Sequence, residues 1–372
     1  MKKNQLIVGS VVLVVLAAVV IWGHNRIHFD FAAFRTQFAM ANWRMILLAL
    51  ACVYVGYVIR SVRWALLLRH NQSVPVFSLT GTQVMGFTGV ALIGRVADLV
   101  RPYLVSRKTG LPLSSQIAVY IVERLFDAGS MALIFSIAVL GLPEAEVVKA
   151  TSRSGVLSSL TAHAPLLAAQ IARFGGLALT LLGALFLVGI RLSGEAVAGM
   201  FERVFGLISE KLGRAFGSKI RSFRTGLDTI RSFSDFAATA SLSLLMWGLI
   251  TLTYFEIMRA FVASPQLAVI SFSKCVLLMV VSGGASIVQL PVIGWFSQIG
   301  IVAAAISGFF GVAIEPATAC AATILLITFL GIVPVGLIWA QFEHVSLRKL
   351  AVESGHSREV PADDAIPGDA TN

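Results

Sequence analysis

The sequence predicts an all-α fold, a polytopic bundle of transmembrane helices with about eight spans, one or two of them re-entrant or broken. Three observations predict it. Forty consecutive residues, Cys275–Ile314, contain no Asp, Glu, Lys or Arg, whereas about 20 apolar residues already cross a bilayer's hydrocarbon core. The 372-residue chain is 57% hydrophobic and 13% charged, with mean hydropathy +0.86, and soluble domains carry roughly 25% charged residues. Finally, Glu123, Arg124 and Asp127 interrupt an otherwise apolar stretch, and ionisable groups at membrane depth are expensive unless paired or hydrated.

The first helix spans about residues 5–22 after Lys2 and Lys3. Its apolar run is long for a secretory signal and no A-x-A site precedes Gly23, so an uncleaved signal-anchor is expected. The later runs are Met45–Ile59 (extended by Trp64–Leu68), Val74–Gly94, Gln116–Leu142, Phe174–Ile190, Phe236–Phe255, Cys275–Ile314 and Pro316–Phe342. Loop charge orients them. Segment 191–235 holds eight Lys/Arg and segment 143–165 holds two, and basic loops stay cytoplasmic. Both are accommodated if Val74–Gly94, rich in Gly, Thr and Gln83, is re-entrant or broken. Both termini then face the cytoplasm, as expected of a multi-pass protein of a bacterial-type cytoplasmic membrane. Non-helical backbone at that depth requires a protein or water-filled surround, hence a cavity.

The long uncharged run is interrupted by Gly283-Gly284, Pro291 and Gly294. It reads either as two crossings or as a hairpin of half-helices. Interrupted segments in both halves suggest an inverted repeat with a midplane site. The domain expectation is one membrane domain, 1–342, with a first half 5–190, an amphipathic cytoplasmic linker 191–235 and a second half 236–342. Residues 343–372 form a cytoplasmic tail, mostly disordered. The three cysteines lie in apolar segments, which points to buried thiols rather than disulfides. The net charge of +10 fits basic loops on anionic lipid better than nucleic-acid binding, because no soluble domain presents such a surface.

Three clusters carry the candidate chemistry. Arg60 and Arg63, followed by Trp64, share a helix face near a cytoplasmic helix end, where snorkelling and an interfacial Trp are the ordinary explanation. Gly94-Arg95-Val-Ala-Asp98-Leu-Val-Arg101 spaces Asp98 to pair with either Arg, leaving a surplus guanidinium suited to a phosphate. Glu123-Arg124-Leu-Phe-Asp127 places two acids on one face with a single base, able to accept the surplus Arg of the previous cluster. No metal-ligand constellation or ATP-binding G-x-x-x-x-G-K-[ST] is present. His24 and His28 are four apart, an incidental pair. No cofactor is expected, and transport would be passive or ion-coupled.

Arg60–Trp64, Gly94–Tyr103 and Val122–Asp127 resemble the N-terminal motifs of the lysylphosphatidylglycerol synthase transmembrane-region family, also described as flippase-like. The family pattern resembles R-x-x-R-W, P-G-R-x-G-E-x-x-R and E-R-x-x-D in this order. Here Ala97 stands for a Gly and Asp98 for a Glu. Leu290–Gln298 is similar to a second-half P-G-G-x-G-x-x-E stretch, with Gln298 in place of the acid. The resemblance covers about residues 5–340 and implies a domain that moves a lipid between leaflets, without the aminoacyltransferase of bifunctional relatives. Its lipid-contacting candidates here are Arg60, Arg63, Arg95, Asp98, Arg101, Glu123, Arg124, Asp127 and Gln298. The cargo is expected to be an anionic phospholipid or a polyprenyl-phosphate-linked lipid. Alternatives are an intramembrane transferase using Glu123 or Asp127 as base, or an auxiliary subunit of a partner synthase or glycosyltransferase.

Overall fold

The computed structural model describes residues 30–143, 163–206, 232–285 and 293–343, with a few single positions besides. The expected signal-anchor, His24, His28, most of the basic linker and the tail lie outside these residues. The described residues form helices and no strand. In chain order they are α1 Phe31–Met40, α2 Trp43–Leu68, α3 Val76–Ile93, a 3-10 turn Arg95–Leu99, α4 Val100–Thr109, α5 Leu113–Leu140, α6 Pro165–Gly206, α7 Phe233–Ala260, α8 Pro265–Ala268, α9 Phe272–Ala285, α10 Ile293–Phe310, α11 Ile314–Leu325, a π turn Leu326–Leu330 and α12 Val333–Phe342.

Among the described residues, four helices are long and apolar enough to cross a membrane: α2, α3, α7 and the Ile314–Phe342 run. The 28-residue α5 is also long enough, about 42 Å at 1.5 Å per residue, but carries the charged trio. The chain is a multi-pass membrane protein. Helix α6 continues past Ile190 to Gly206.

The chain forms two compact units interleaved in sequence. One comprises 57–127, 186–243 and 332–372, and the other 1–56, 128–185 and 244–331. The boundaries fall within α2, α5, α6 and α7 and just before α12.

In the first unit, α3 is an unbroken 18-residue helix, where the sequence suggested a re-entrant or broken segment. Its polar residues do not break it. Thr80 and Thr82 return their hydroxyls to the carbonyls of Val76 and Ser78, four residues back. The break comes at Gly94, whose φ of 91° and ψ of −171° lie in a region essentially reserved for glycine. The chain then turns through Arg95–Leu99, and α4 packs back against α3. Some 61% of α3 is buried, against 28–39% for the other three candidate spans. It is therefore wrapped by protein, which small residues permit: Gly81 faces the Trp339 ring of α12, and Gly86 faces the Arg101 side chain of α4. Trp64, Leu67, Leu68, Leu79, Val105, Val119, Val122 and Phe126 form this unit's apolar core. Trp64 is 1% exposed and donates to Gln116 Oε1 at 3.2 Å, so it is a core residue and not an interfacial anchor.

In the second unit, Asp30 caps α1 by accepting from the amides of Ala32 and Ala33. Asn42 accepts from the Arg44 amide at the start of α2. Its core runs through Ile257, Phe261, Leu267, Val276, Leu278, Ile306 and Ile324. It also holds Cys275 and Cys320, and all three cysteines of the chain are buried thiols. The uncharged run forms α9 and α10 of 14 and 18 residues; the Pro291 break falls outside the described residues. The π turn before α12 has a covalent cause. Pro334 lacks an N–H and would clash with the carbonyl of Leu330 in a regular helix. The backbone responds with a Gly331 N–H bond to Leu326 at 2.6 Å, and Gly331 O accepts from the Tyr54 hydroxyl at 2.8 Å.

Candidate functional site

The first unit gathers charged residues from three helices. Helix α2 presents Arg60 and Arg63 on one face. Helix α5 presents Glu123, Arg124 and Asp127, since positions three and four apart align on a helix. Arg101 enters from the first turn of α4, aimed by the reversal at Gly94. Gly86 makes room for it: a Cβ there would overlap Arg101 Cγ.

Arg63 is the centre of the group. Its Nη2 lies 2.5 Å from Glu123 Oε1 and its Nη1 lies 2.6 Å from Asp127 Oδ1. Nη1 also donates to Ser243 Oγ of α7 at 2.6 Å, and that hydroxyl donates to the Thr239 carbonyl. Arg101 Nη1 stands 3.3 Å from Glu123 Oε2 and donates to Gln83 Oε1 at 3.1 Å. These two arginines are 1% and 0% exposed, so each needs the ion pairs it makes.

Arg60 and Arg124 form an outer pair. Arg60 Nη1 is 3.8 Å from both Glu123 Oε1 and Asp127 Oδ2. Arg124 Nη2 is 3.2 Å from Asp127 Oδ2 and 3.8 Å from Glu123 Oε1. The Arg60 side chain is 12% exposed and that of Arg124 36%. Two aromatic rings support the guanidinium groups. Phe87 lies under Arg60 at 4.9 Å and Arg101 at 4.4 Å; Tyr120 lies under Arg101 at 5.1 Å and Arg124 at 5.3 Å.

Among the described residues four guanidinium groups thus face Glu123 and Asp127, and the half-buried Asp98 on the Gly94 reversal acts on Arg124 as a third carboxylate, which leaves an excess of one positive charge. Donor capacity exceeds acceptor capacity too. Among the described residues, Arg60 Nη1, Arg63 Nε, Arg101 Nε and Nη2, Arg124 Nε and Nη2, and Gln83 Nε2 are buried without a hydrogen-bond acceptor. Such a constellation attracts an oxyanion that brings several acceptors at once.

The expected roles shift accordingly. Arg63, expected to sit at the cytoplasmic rim, is withdrawn from solvent by its two carboxylates. Arg101 pairs across helices with Glu123, as a surplus Arg of its cluster meeting the two acids of α5. Arg95 lies on the 3-10 turn, its side chain outside the described set. Gln298 belongs to the other unit, where it is 5% exposed with Nε2 3.5 Å from Ser282 Oγ; that oxygen accepts from the Tyr254 hydroxyl at 2.8 Å. Sequence reasoning missed Ser243, Phe87 and Tyr120, which carry no signal within apolar helices. No group of three His, Cys, Asp or Glu suited to a metal occurs among the described residues.

The family model described as lysylphosphatidylglycerol synthase TM region matches residues 6–337. No curated protein and no solved structure matches the chain. A match over most of the chain establishes the family: this protein belongs to the lysylphosphatidylglycerol synthase TM region family.

Proposed function

We propose that this member of the lysylphosphatidylglycerol synthase TM region family translocates an anionic phospholipid or a polyprenyl-phosphate-linked lipid between leaflets. In this reading Arg60 and Arg124 hold the phosphate. The observation that carries it is the division between the inner and outer arginines. Arg63 and Arg101 are fully buried and committed to Glu123 and Asp127, so they fix the acids in place. Arg60 and Arg124 are the more exposed, and like the inner pair they keep buried donors without acceptors among the described residues. A phosphate reached through the Arg124 side would take these donors and neutralise the surplus charge. Arg101, to which the sequence reading also offered the phosphate, uses Nη1 for two acceptors and keeps Nε and Nη2 without one, so it lines the inner side of the same group.

A transferase role fits less well. A general base needs a carboxylate free to take a proton, and both carboxylates here are clamped by Arg63. Anionic lipid as partner, a cytoplasmic-membrane location and cytoplasmic termini belong to the same proposal.

Leaflet exchange in vesicles holding the purified protein tests it, using fluorescent phosphatidylglycerol and a polyprenyl phosphate as probes. Wild type should accelerate exchange of at least one probe, and Arg124→Gln should lower that rate about tenfold, the equivalent of about 1.4 kcal/mol, while still inserting and melting normally. No acceleration with either probe, or an Arg124→Gln rate equal to wild type, sinks the proposal.

A further inference from the structure

The second unit carries a cleft of about 600 Å³ at the junction of α1, the α7–α8 connection and the α10–α11 turn. This lies within the roughly 300–1,000 Å³ of small-molecule sites. Its polar lining is Gln37 from α1, Ser264 and Gln266 beside α8, Ser307 near the end of α10, and Glu315 at the start of α11. Its remaining lining is mainly small, with Ala33 on one wall and prolines and alanines around it. Gly311, at φ 69°, makes the turn that lets α11 come back beside α10.

We infer that this cleft binds an uncharged, hydroxyl-rich group of the glycosyl class. Three observations support it. Gln37 Oε1 is buried without a hydrogen-bond donor among the described residues, so the cleft holds an acceptor in search of a hydroxyl. Two carboxamides, two hydroxyls and one carboxylate can each give or take hydrogen bonds with neighbouring hydroxyls of a ring. The Ser264 hydroxyl already points at Gln266 Oε1 at 3.4 Å, and among the described residues Glu315 Oε1 accepts a long bond, 3.4 Å, from the Asp30 amide.

The lining also selects against charged ligands. Glu315 is its one charged residue, which disfavours phosphate and carboxylate. A quaternary ammonium is held by aromatic faces, and no aromatic residue lines the cleft. The glycosyl group can come from a glycolipid headgroup or from a free sugar. The site shares no residue with the arginine cluster, and the inference stands apart from the phosphate proposal.

The test uses the full chain in nanodiscs. Titration with methyl glucoside probes the free sugar, and native mass spectrometry with a glucosyl diacylglycerol probes the lipid. Saturable binding is expected for at least one probe: binding of both identifies a site for the headgroup alone, and binding of only the lipid identifies a glycolipid site. Gln37→Leu should weaken it about threefold to tenfold, the loss of one hydrogen bond. Ala33→Trp, which fills the cleft from its wall, should abolish it, and Arg124→Gln should leave it unchanged. Unaltered melting of the cleft variants shows that they fold. No saturable binding of either probe, tighter binding of glycerophosphocholine than of the sugar, or binding indifferent to Ala33→Trp overturns the inference.

Discussion

Arg63 and Glu123 stand 2.5 Å apart, Nη2 to Oε1, in a region where each is 1% exposed, and the other arm of Arg63 reaches Asp127. One guanidinium therefore clasps two carboxylates from successive turns of α5 and ties that helix to α2. Removing it takes the shortest ion pair from each of two buried carboxylates and leaves a void between α2 and α5. Arg63→Ala should destabilise the protein by about 3–5 kcal/mol, the usual consequence of breaking a buried pair. Arg63→Lys, which keeps one positive charge but not the two-armed fork, should lose less. Thermal unfolding in nanodiscs distinguishes them. An Arg63→Ala variant as stable as wild type would show that the clasp is not structural.

The outer arginines should behave oppositely. Arg60 is held only by contacts of 3.8 Å, and Arg124 is 36% exposed, so each ion pair contributes about 1 kcal/mol or less to stability. Arg60→Gln should lower lipid exchange several-fold while shifting unfolding little, and Arg60→Lys should restore only part of the rate, since a point ammonium does not replace the planar fork. Unfolding and exchange measured on one preparation decide it. A rate restored fully by Lys would reduce the role of Arg60 to bulk charge.

The charged cluster itself was legible in the sequence because charges in apolar helices are conspicuous, and helical spacing correctly put Glu123 and Asp127 on one face. The excess of acid at Glu123 and Asp127 also pointed to a surplus Arg from the Gly94–Arg101 cluster as their partner, and Arg101 meets Glu123; the tighter clasp by Arg63 was not legible. Spacing sees neighbours along one helix, so it left open which Arg, Arg95 or Arg101, pairs with Asp98 and which is surplus; the reversal at Gly94 carries Arg101 to Glu123 on α5. For the same reason Trp64 looked interfacial. Its indole finds Gln116, 52 residues later, which no local pattern encodes. The polarity of Val74–Gly94 was read as weakness of a span. In the fold that polarity is consumed by threonine bonds to the helix's own carbonyls and by Gln83 facing Arg101, so the helix stays whole.

Gly86 should tolerate no side chain. A Cβ would overlap Arg101 Cγ, with Arg101 Cδ at 3.1 Å and Cβ at 3.3 Å behind it, and Arg101 has no room because it is fully buried. Gly86→Ala is expected to destabilise by about 1–3 kcal/mol through overpacking and to draw Arg101 away from Glu123. The double variant Gly86→Ala, Arg101→Ala should be no less stable than Arg101→Ala alone, because the obstructing side chain is then gone. Strict additivity of the two losses would place the clash elsewhere.

Ser232 and Asp235 close the start of α7 reciprocally. The Asp235 amide donates to Ser232 Oγ at 3.1 Å, and the Ser232 amide donates to Asp235 Oδ2 at 3.0 Å, the arrangement of a capping box. Asp235 also takes an ion pair from Arg69 and shares a 3.0 Å hydrogen bond with His70 Nε2 of the segment that follows α2. It therefore acts twice, as a cap and as an anchor. Asp235→Ala removes both and should destabilise by about 0.5–2 kcal/mol for the cap alone, with a further loss from the stranded arginine. Asp235→Asn keeps an acceptor for the Ser232 amide while losing the charge, so its loss should be smaller, and Ser232→Ala should disturb only the cap. Limited proteolysis across residues 69–75 reads the anchor, and melting reads the cap. Equal cleavage in Asp235→Ala and Ser232→Ala would mean that these anchoring contacts contribute nothing, and that α7 is fixed by its cap and packing alone.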